Sequence, residues 1–542
     1  MSKLWKFFFA SIFIVSVTNC YFENLLLKIA FWQLKGIIGF SLIDFIKDIS
    51  SIKKLDPYAE KRAKVRTCSH LCRREYGFLN KRKFYVKKGL EKFLGTEIAE
   101  EQLPTIGLCF SGGGYRSMIG TLAFLNESHK VGLLDAVDYI STLSGSTWAL
   151  ATWLGHDLAF DQLIALTRNQ ISSSIIDGID RRLLLENCIW KLFYRQKMSL
   201  VGIWGSIVAN VLFSDFEKNY IGSPKTRILR GKMPKLSQFR AKIDQGSYPM
   251  PLFTAVSVSS GYKWFEFSPY EVGLIDHNIY VPSWSFGRHF AKGRSTDYPP
   301  EHGIDYLMGI WGSAFTASLG EILDNCFDKK FLDEVNSKEE NDFGLGADVI
   351  SAQFRSEFLK LRLSPAKIKN IAGENSMTFL TLVDAGIDFN LPVPPLLKKE
   401  RKLDLIIIYD LSSNADTAKE LKYVEKYAIK NGYKFPKIKY AEIGQSTISV
   451  FEDPDPQVPV VIYMPMIKND AYSKLFDPKN LVQGGYCSTF NLQYTPQQFD
   501  ELFGLIGYNT RSSMENIRDA IKFVIARKNK VILNQEHQAE CL

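Results

Sequence analysis

From residue 105 onward the chain repeats one pattern. Short runs that are apolar along their whole length end in glycine-rich or polar turns, and stretches of helical spacing follow. The runs are TIGLCF, VDYIST, PLFTAVSVS, MTFLTLV, LDLIIIY and PVVIYMP. A strand with one face in water alternates apolar and polar side chains. Runs apolar at every position therefore predict strands covered on both faces, as in a mainly parallel sheet flanked by helices. Between them, roughly 157–245 and 325–375 read as helical and would cap the sheet. The expected fold class is α/β: a mainly parallel central sheet, flanking helices and a helical cap or lid, with 274–302 as the candidate lid.

The N-terminal pattern is different. Lys3 and Lys6 precede FFFASIFIVSV, the charged-then-apolar order of a secretory signal or short anchor. The run is shorter than the roughly 20 residues that span a bilayer. Asn19 occupies the position before Cys20 where a lipoprotein signal has a small residue, which favours plain export over lipidation. Residues 24–47 interleave apolar patches with Lys28, Gln33, Lys35 and Asp44, as in an amphipathic helix lying on a lipid surface. KRAKVR and NKRKFYVKKGLEKFLG follow, each either a solvated helix face or a membrane-facing one. The organisation expected is a signal or anchor over 1–22, an amphipathic basic region over 23–95 and one catalytic unit over 96–535. The expected destination is the cell exterior or envelope, in association with membrane.

Composition changes this picture little. Of 542 residues, 46% are hydrophobic and 23% charged, enough apolar material for a large core. The formal charge of +9 favours anionic surfaces without choosing between nucleic acid and membrane phosphate. Eight cysteines are too few and too scattered for a disulfide scaffold. Cys68, His70 and Cys72 have no second cluster that would complete a zinc site, so no metal is expected.

Three turns, each closing an expected strand, carry the candidate chemistry. SGGGYR (111–116) places three glycines between strand and helix, where backbone N–H groups point at an anion. It fits neither the dinucleotide fingerprint nor the phosphate loop with its GK[ST] ending, and it suits a bound phosphate or an oxyanion hole. STLSGSTWAL (141–150) turns sharply at Ser144, as a nucleophile elbow does, although Thr142 and Ser146 replace the outer glycines of G-x-S-x-G. A helix N-cap is the plainer alternative for this serine. Asp384 ends the apolar run before DAGIDFNLPVPPLL and could be a base, a metal ligand or a turn-former. His156 follows Ser144 too closely to face it, and His289 and His302 lack an orienting carboxylate pattern. A serine–aspartate pair needs no histidine if the carboxylate itself takes the serine proton.

SGGGYR, LSGSTW and DAGIDFNLP resemble the catalytic core of the group IV cytosolic phospholipases A2, relatives of fungal phospholipase B and patatin. The likeness extends through FEFSPYEVG (265–273), YLMGIWGSAF (306–315), LDLIIIYDLSS (403–413), YKFPKI (433–438) and STFNLQY (488–494), and so covers roughly residues 80–530. It implies Ser144 as nucleophile, Asp384 as base, Gly113 and Gly114 as oxyanion donors, and Arg116 and Arg401 as partners of the substrate phosphate. Asp388 is a second nearby carboxylate, but only Asp384 aligns with the family's base. The implied activity is that of a phospholipase A2 or lysophospholipase without cofactor. The calcium-dependent lipid-binding module has no counterpart here, so calcium independence is expected. The implied partners are a glycerophospholipid and a membrane or micelle surface, with no nucleic acid.

Overall fold

The computed structural model describes residues 56–175, 200–213, 233–257, 261–314, 366–369 and 379–540. The six apolar runs are strands β1 (Ile106–Phe110), β2 (Tyr139–Thr142), β3 (Met250–Ser257), β10 (Phe379–Asp384), β11 (Leu405–Asp410) and β13 (Val460–Pro465). The pattern did not mark β4 (Lys263–Phe267), β5 (Glu271–Leu274), β6 (Ile279–Pro282), the hairpin of β7 (Phe290–Ala291) and β8 (Arg294–Ser295), β9 (Ala366–Lys369) or β12 (Ser449–Phe451). Among the described residues, the main sheet runs β12-β13-β11-β1-β2-β3-β4-β5-β6, with β10 and β9 joined through β3. The middle, β13 to β3, is parallel, and both flanks are antiparallel.

The parallel strands explain the missing alternation. In β11, Leu405, Ile407 and Tyr409 enter one apolar cluster, and Ile406 and Ile408 enter the cluster on the opposite face. In β13, Val460, Ile462 and Met464 join the first cluster, Val461 and Tyr463 the second. Two apolar faces need helices on both sides. Helices α1 (Arg73–Leu94), α2 (Gly114–Val131), α3 (Gly145–Gly155), α4 (Phe160–Gln170), α5 (Leu200–Leu212), α6 (Ile304–Trp311), α7 (Lys419–Lys430), α8 (Pro496–Ser512) and α9 (Met514–Glu540) complete the described frame. α2 packs against α3 and α8 on the first face, and α7 buries Leu421, Val424 and Ala428 on the second.

Several expectations change. Residues 274–302 are not a lid: β6 pairs with β5 inside the main sheet, with Tyr280 and Val281 buried. Arg288 fastens the following loop by donating to the carbonyls of Lys61 and Tyr58. The helical stretch over 157–245 is present in α4 and α5, whereas 366–369, inside the second stretch, is a strand. The rest of 325–375, like the N-terminal signal and amphipathic segment, lies outside the described residues. The lysine-rich sequence does form a helix, α1. Its Arg82 is buried and donates to the carbonyls of Leu134, Val137 and Gly246 around the entry to β2.

Candidate active site

The sheet brings the serine and the aspartate together by an arrangement the sequence does not advertise. β4 occupies one edge of β3 from Phe253 to Ser257. On the other edge, β2 pairs with β3 only as far as Thr142 opposite Phe253. β10 then takes over the same lane from the opposite direction and ends with Asp384 opposite Ala255. Two strands thus meet end to end beside β3. Their last paired positions are two residues apart along it, roughly 7 Å. Ser144 leaves β2 at this junction, and Asp384 terminates β10 there.

Ser144 sits at φ 52°, ψ −124°, a conformation costly for a residue with a side chain and typical of a nucleophile elbow. Its neighbours hold it there. The Ser146 Oγ accepts from Leu143 N–H at 2.9 Å and lies 2.9 Å from the Phe110 carbonyl, tying the elbow to the end of β1. The outer position that departs from the G-x-S-x-G pattern is therefore the brace of the turn. Gly145 must be glycine because a Cβ there would collide with the Gly114 carbonyl oxygen. The elbow and the glycine loop touch backbone to backbone.

The glycine loop ends β1 and starts α2. Gly113, at φ 148°, lies in a region that favours glycine, and neither its N–H nor that of Gly114 has an acceptor among the described residues. Both lie at the amino end of an 18-residue helix, where unpaired donors and the helix dipole favour negative charge. Arg116 backs this loop. Its Nε donates to the Leu411 carbonyl at 2.8 Å, and its Nη1 to the Cys487 carbonyl at 2.5 Å and the Thr489 hydroxyl at 3.2 Å. The guanidinium packs directly against Gly113.

Asp384 is buried. Its Oδ1 accepts from Gly386 N–H at 2.9 Å, while its own N–H donates to Ser313 Oγ at 2.8 Å. Oδ2 completes no hydrogen bond among the described residues. Burial raises the pKa to about 6, and the Gly386 N–H, the Ser144 hydroxyl and the Ala314 backbone pull back only part of that rise. A carboxylate so placed is ionised at neutral pH yet more basic than a solvated one. A pH–rate profile of kcat/KM should therefore show an acid limb near pH 6, losing activity below it; a limb near pH 4 would mean a solvated, non-participating Asp384.

The remaining residues singled out in the sequence lie elsewhere. Asp388 accepts from the Trp264 indole at 2.9 Å. His156 stacks on Phe213 and His302 on Tyr306, and His289 is paired with Asp297, the carboxylate its sequence context concealed. Among the described residues, no histidine hydrogen-bonds to Ser144 or Asp384. No group of acidic, cysteine or histidine side chains there could hold a metal ion.

Arg401 packs over Tyr139, at the start of β2, whereas Ser144 lies beyond its end. It is fully buried. Nε donates to Glu75 at 3.0 Å, Nη1 to Glu266 at 2.6 Å and Nη2 to Glu266 at 3.2 Å. Lys398 joins the cluster through Glu266 and the Tyr280 hydroxyl. Burial alone would raise the Glu266 pKa, but the Arg401 and Lys398 charges outweigh it and hold the group down at about 2. Every nitrogen of the Arg401 guanidinium is committed to the framework.

A family model for the lysophospholipase catalytic domain matches residues 106–434, more than half of the chain and the whole path from β1 through Ser144 to Asp384. The chain belongs to the lysophospholipase catalytic-domain family. Relatives of this lysophospholipase-family chain include mouse cytosolic phospholipase A2 zeta, 27% identical over 89% of this chain and 65% of the relative. Human cytosolic phospholipase A2 epsilon is 27% identical over 86% and 61% respectively. The chain thus spans between three fifths and two thirds of the length of these curated relatives. Among solved structures, human GIVD cytosolic phospholipase A2 superposes with a TM-score of 0.68 at 23% identity, covering 86% of this chain and 69% of that one. The patatin-like α/β hydrolase fold of this family is the fold seen here.

Three residues around the candidate site escaped notice in the sequence. Asn390 shapes the loops around Ser144, Ser313 holds the Asp384 backbone, and Glu420 accepts from Asn390 N–H at 2.6 Å. For Asn390 a signal existed, since it is the one amide within the otherwise apolar run FNLPVPPLL.

Proposed function

We propose that this chain hydrolyses fatty acyl esters of glycerophospholipids through an acyl-serine intermediate. The observation that carries the proposal is the end-to-end meeting of β2 and β10, which faces Ser144 with a buried carboxylate beside two unpaired backbone donors. The Ser144 hydroxyl attacks the ester carbonyl and its proton passes to Asp384. The carbonyl oxygen, now anionic, is held by Gly113 and Gly114 N–H groups, each worth about 3 kcal/mol of barrier in comparable sites. Collapse breaks the ester bond, and Asp384 returns the proton to the departing lysophospholipid alkoxide. Water then gives a proton to Asp384 and attacks the acyl-serine. The fatty acid leaves and Ser144 recovers its hydrogen. An acceptor alcohol in place of water would give transacylation.

Support for this chemistry includes the solved complex of human GIVD cytosolic phospholipase A2, which shares this fold, with methyl gamma-linolenyl fluorophosphonate. Each step above uses side chains and backbone of this chain, so the proposal includes turnover without calcium. It also includes contact with a membrane or micelle surface. That contact is expected at the rim carrying Ser144, where the ester must enter; α1, the most basic described helix, lies against the entry to β2 at the other end of the sheet and does not supply it. No helix among the described residues is long and apolar enough to cross a membrane. An export signal over residues 1–22 remains part of the proposal.

One observation favours a second reading, hydrolysis of neutral acyl esters. Arg401, one of the two arginines expected to meet phosphate, commits its whole guanidinium to protein acceptors, and Arg116 commits Nε and Nη1, leaving Nη2 beside Gly113. The test is fatty-acid release in chelator from phosphatidylcholine micelles and, separately, from monoacylglycerol micelles. Phospholipid turnover at least about 10-fold more efficient supports the first reading. The reverse order supports the second, and turnover that requires added calcium would overturn the calcium-independent mechanism.

A further inference from the structure

We infer that Asn390 is a positioning residue that fixes the oxyanion loop against the Ser144–Asp384 pair, an inference that rests on the acyl-hydrolase reading above. Its side-chain amide grips Gly112 from both sides. The Gly112 N–H donates to Asn390 Oδ1 at 3.0 Å, and Asn390 Nδ2 donates to the Gly112 carbonyl at 3.1 Å. Only an amide offers an acceptor and a donor in that fork. Gly112 is wedged in place, because a Cβ there would lie 2.6 Å from Asn390 Oδ1 and 2.8 Å from the Ser144 Cβ.

The same amide reaches the aspartate's turn. A Cβ on Gly386 would lie 3.3 Å from Asn390 Oδ1 and 3.2 Å from Asp384 Oδ1, the oxygen that Gly386 N–H already holds. One side chain therefore touches the glycine loop and the Asp384 turn together. Its own backbone is anchored, with its N–H donated to Glu420 Oε2 at 2.6 Å in the first turn of α7. Two residues on, the Pro392 carbonyl accepts the Ser141 hydroxyl of β2 at 2.6 Å. The loop carrying Asn390 is thus tied to α7, to β2 and to the glycine loop. Gly112 directly precedes Gly113 and Gly114, so rotation of its peptide would swing the donors away from where the oxyanion forms.

The test compares kcat and KM for Asn390→Ala and Asn390→Asp with the unaltered chain, with Ser144→Ala as the blank. Asn390→Ala should lower kcat on the order of 100-fold, the loss typical of one misplaced oxyanion donor, and leave KM within about 3-fold. Asn390→Asp reads the same contact through pH. The protonated carboxyl keeps one acceptor for the Gly112 N–H and one O–H donor for its carbonyl, whereas the ionised form loses the donor and sets a negative charge beside the oxyanion. Charged groups near this position are Glu420 on α7, which holds the Asn390 N–H, Asp384 on β10, which shares the Gly386 turn, and Arg116 on α2, which backs the neighbouring Gly113. The ratio of Asn390→Asp to unaltered turnover should therefore fall as pH rises through the titration of the new carboxyl, and where that group is already ionised the variant should be at least as slow as Asn390→Ala.

A folded Asn390→Ala protein with kcat within about 3-fold of the parent would overturn the inference, as would an Asn390→Asp ratio near one at every pH. If Asn390→Ala melts below the assay temperature, the Asn390→Asp ratio decides, since it is read within one folded protein. A parent chain no more active than Ser144→Ala would remove the hydrolase reading and this inference with it. An active parent with indifferent Asn390 variants removes the inference alone.

Discussion

Replacing Ser144 by alanine, or Asp384 by asparagine, should lower kcat for acyl-ester hydrolysis by about 10⁴-fold or more, the scale seen when one member of a nucleophile–base unit is removed. The two variants should be almost equally inactive, because neither residue advances the reaction alone. Asp384→Asn gives a second readout. The folded pKa of about 6 lies above the ordinary 3.8, so the native state holds this proton more tightly than the unfolded chain. The stability tied to it is fully present below pH 3.8 and is lost as pH rises through about 6. The asparagine carries no charge and avoids that loss. Thermal melts should show Asp384→Asn more stable than the parent at pH 8, with the gain disappearing near pH 4. A variant that keeps a tenth of parental turnover, or one less stable at pH 8, would rule out the assignment of Asp384 as a buried, desolvated base.

Arg401→Met should destabilise the fold by about 3–5 kcal/mol, the usual result of stranding buried carboxylates without their cation. Glu75 and Glu266 are both buried; Glu266 would keep Lys398, whereas Glu75 would keep only the Tyr139 hydroxyl among the described partners. Urea unfolding would register the loss directly. Adding Glu266→Gln should recover part of it, since the two side chains interact in the same cluster. A phosphate-binding role predicts a different result: KM for phospholipid would rise while the unfolding midpoint held. That outcome would show that Arg401 exchanges its partners for substrate during turnover.

Much of the fold could be read from the chain because β1, β2, β3, β10, β11 and β13 are buried on two faces, which writes them as unbroken apolar runs. The direction of β10 could not be read the same way. MTFLTLVD has the composition of a parallel strand, and only its pairing with Val256 and Ser257 on β3 reveals that it runs the opposite way. β4 to β6 were hidden for a related reason. They are short hairpin strands at an edge, interrupted by Ser268 and Pro269, so they carry no long apolar run and the part from 274 onward read as a lid. At the site, Ser144, Asp384 and the glycines were legible because a strained turn and a close backbone approach restrict residue choice. The surroundings of Arg401 were not legible. A guanidinium that meets a phosphate and one that meets a buried glutamate are the same letter, and its partners Glu75 and Glu266 lie 326 and 135 residues away. Asn390 was passed over since its role depends on a neighbour, Gly112, that comes 278 residues before it.

The brace on the glycine loop bears on when the protein becomes active during synthesis. Arg116 leans on carbonyls of Leu411 and Cys487 and on the Thr489 hydroxyl, so the loop made early is supported by chain made late. A ribosome that has just released Ser144 must add 343 more residues (487 − 144) before the last of the backbone acceptors exists. Until then the serine elbow exists without the brace on the glycine loop beside it. Catalysis by this loop, as proposed above, would therefore begin only once the growing chain has passed Cys487.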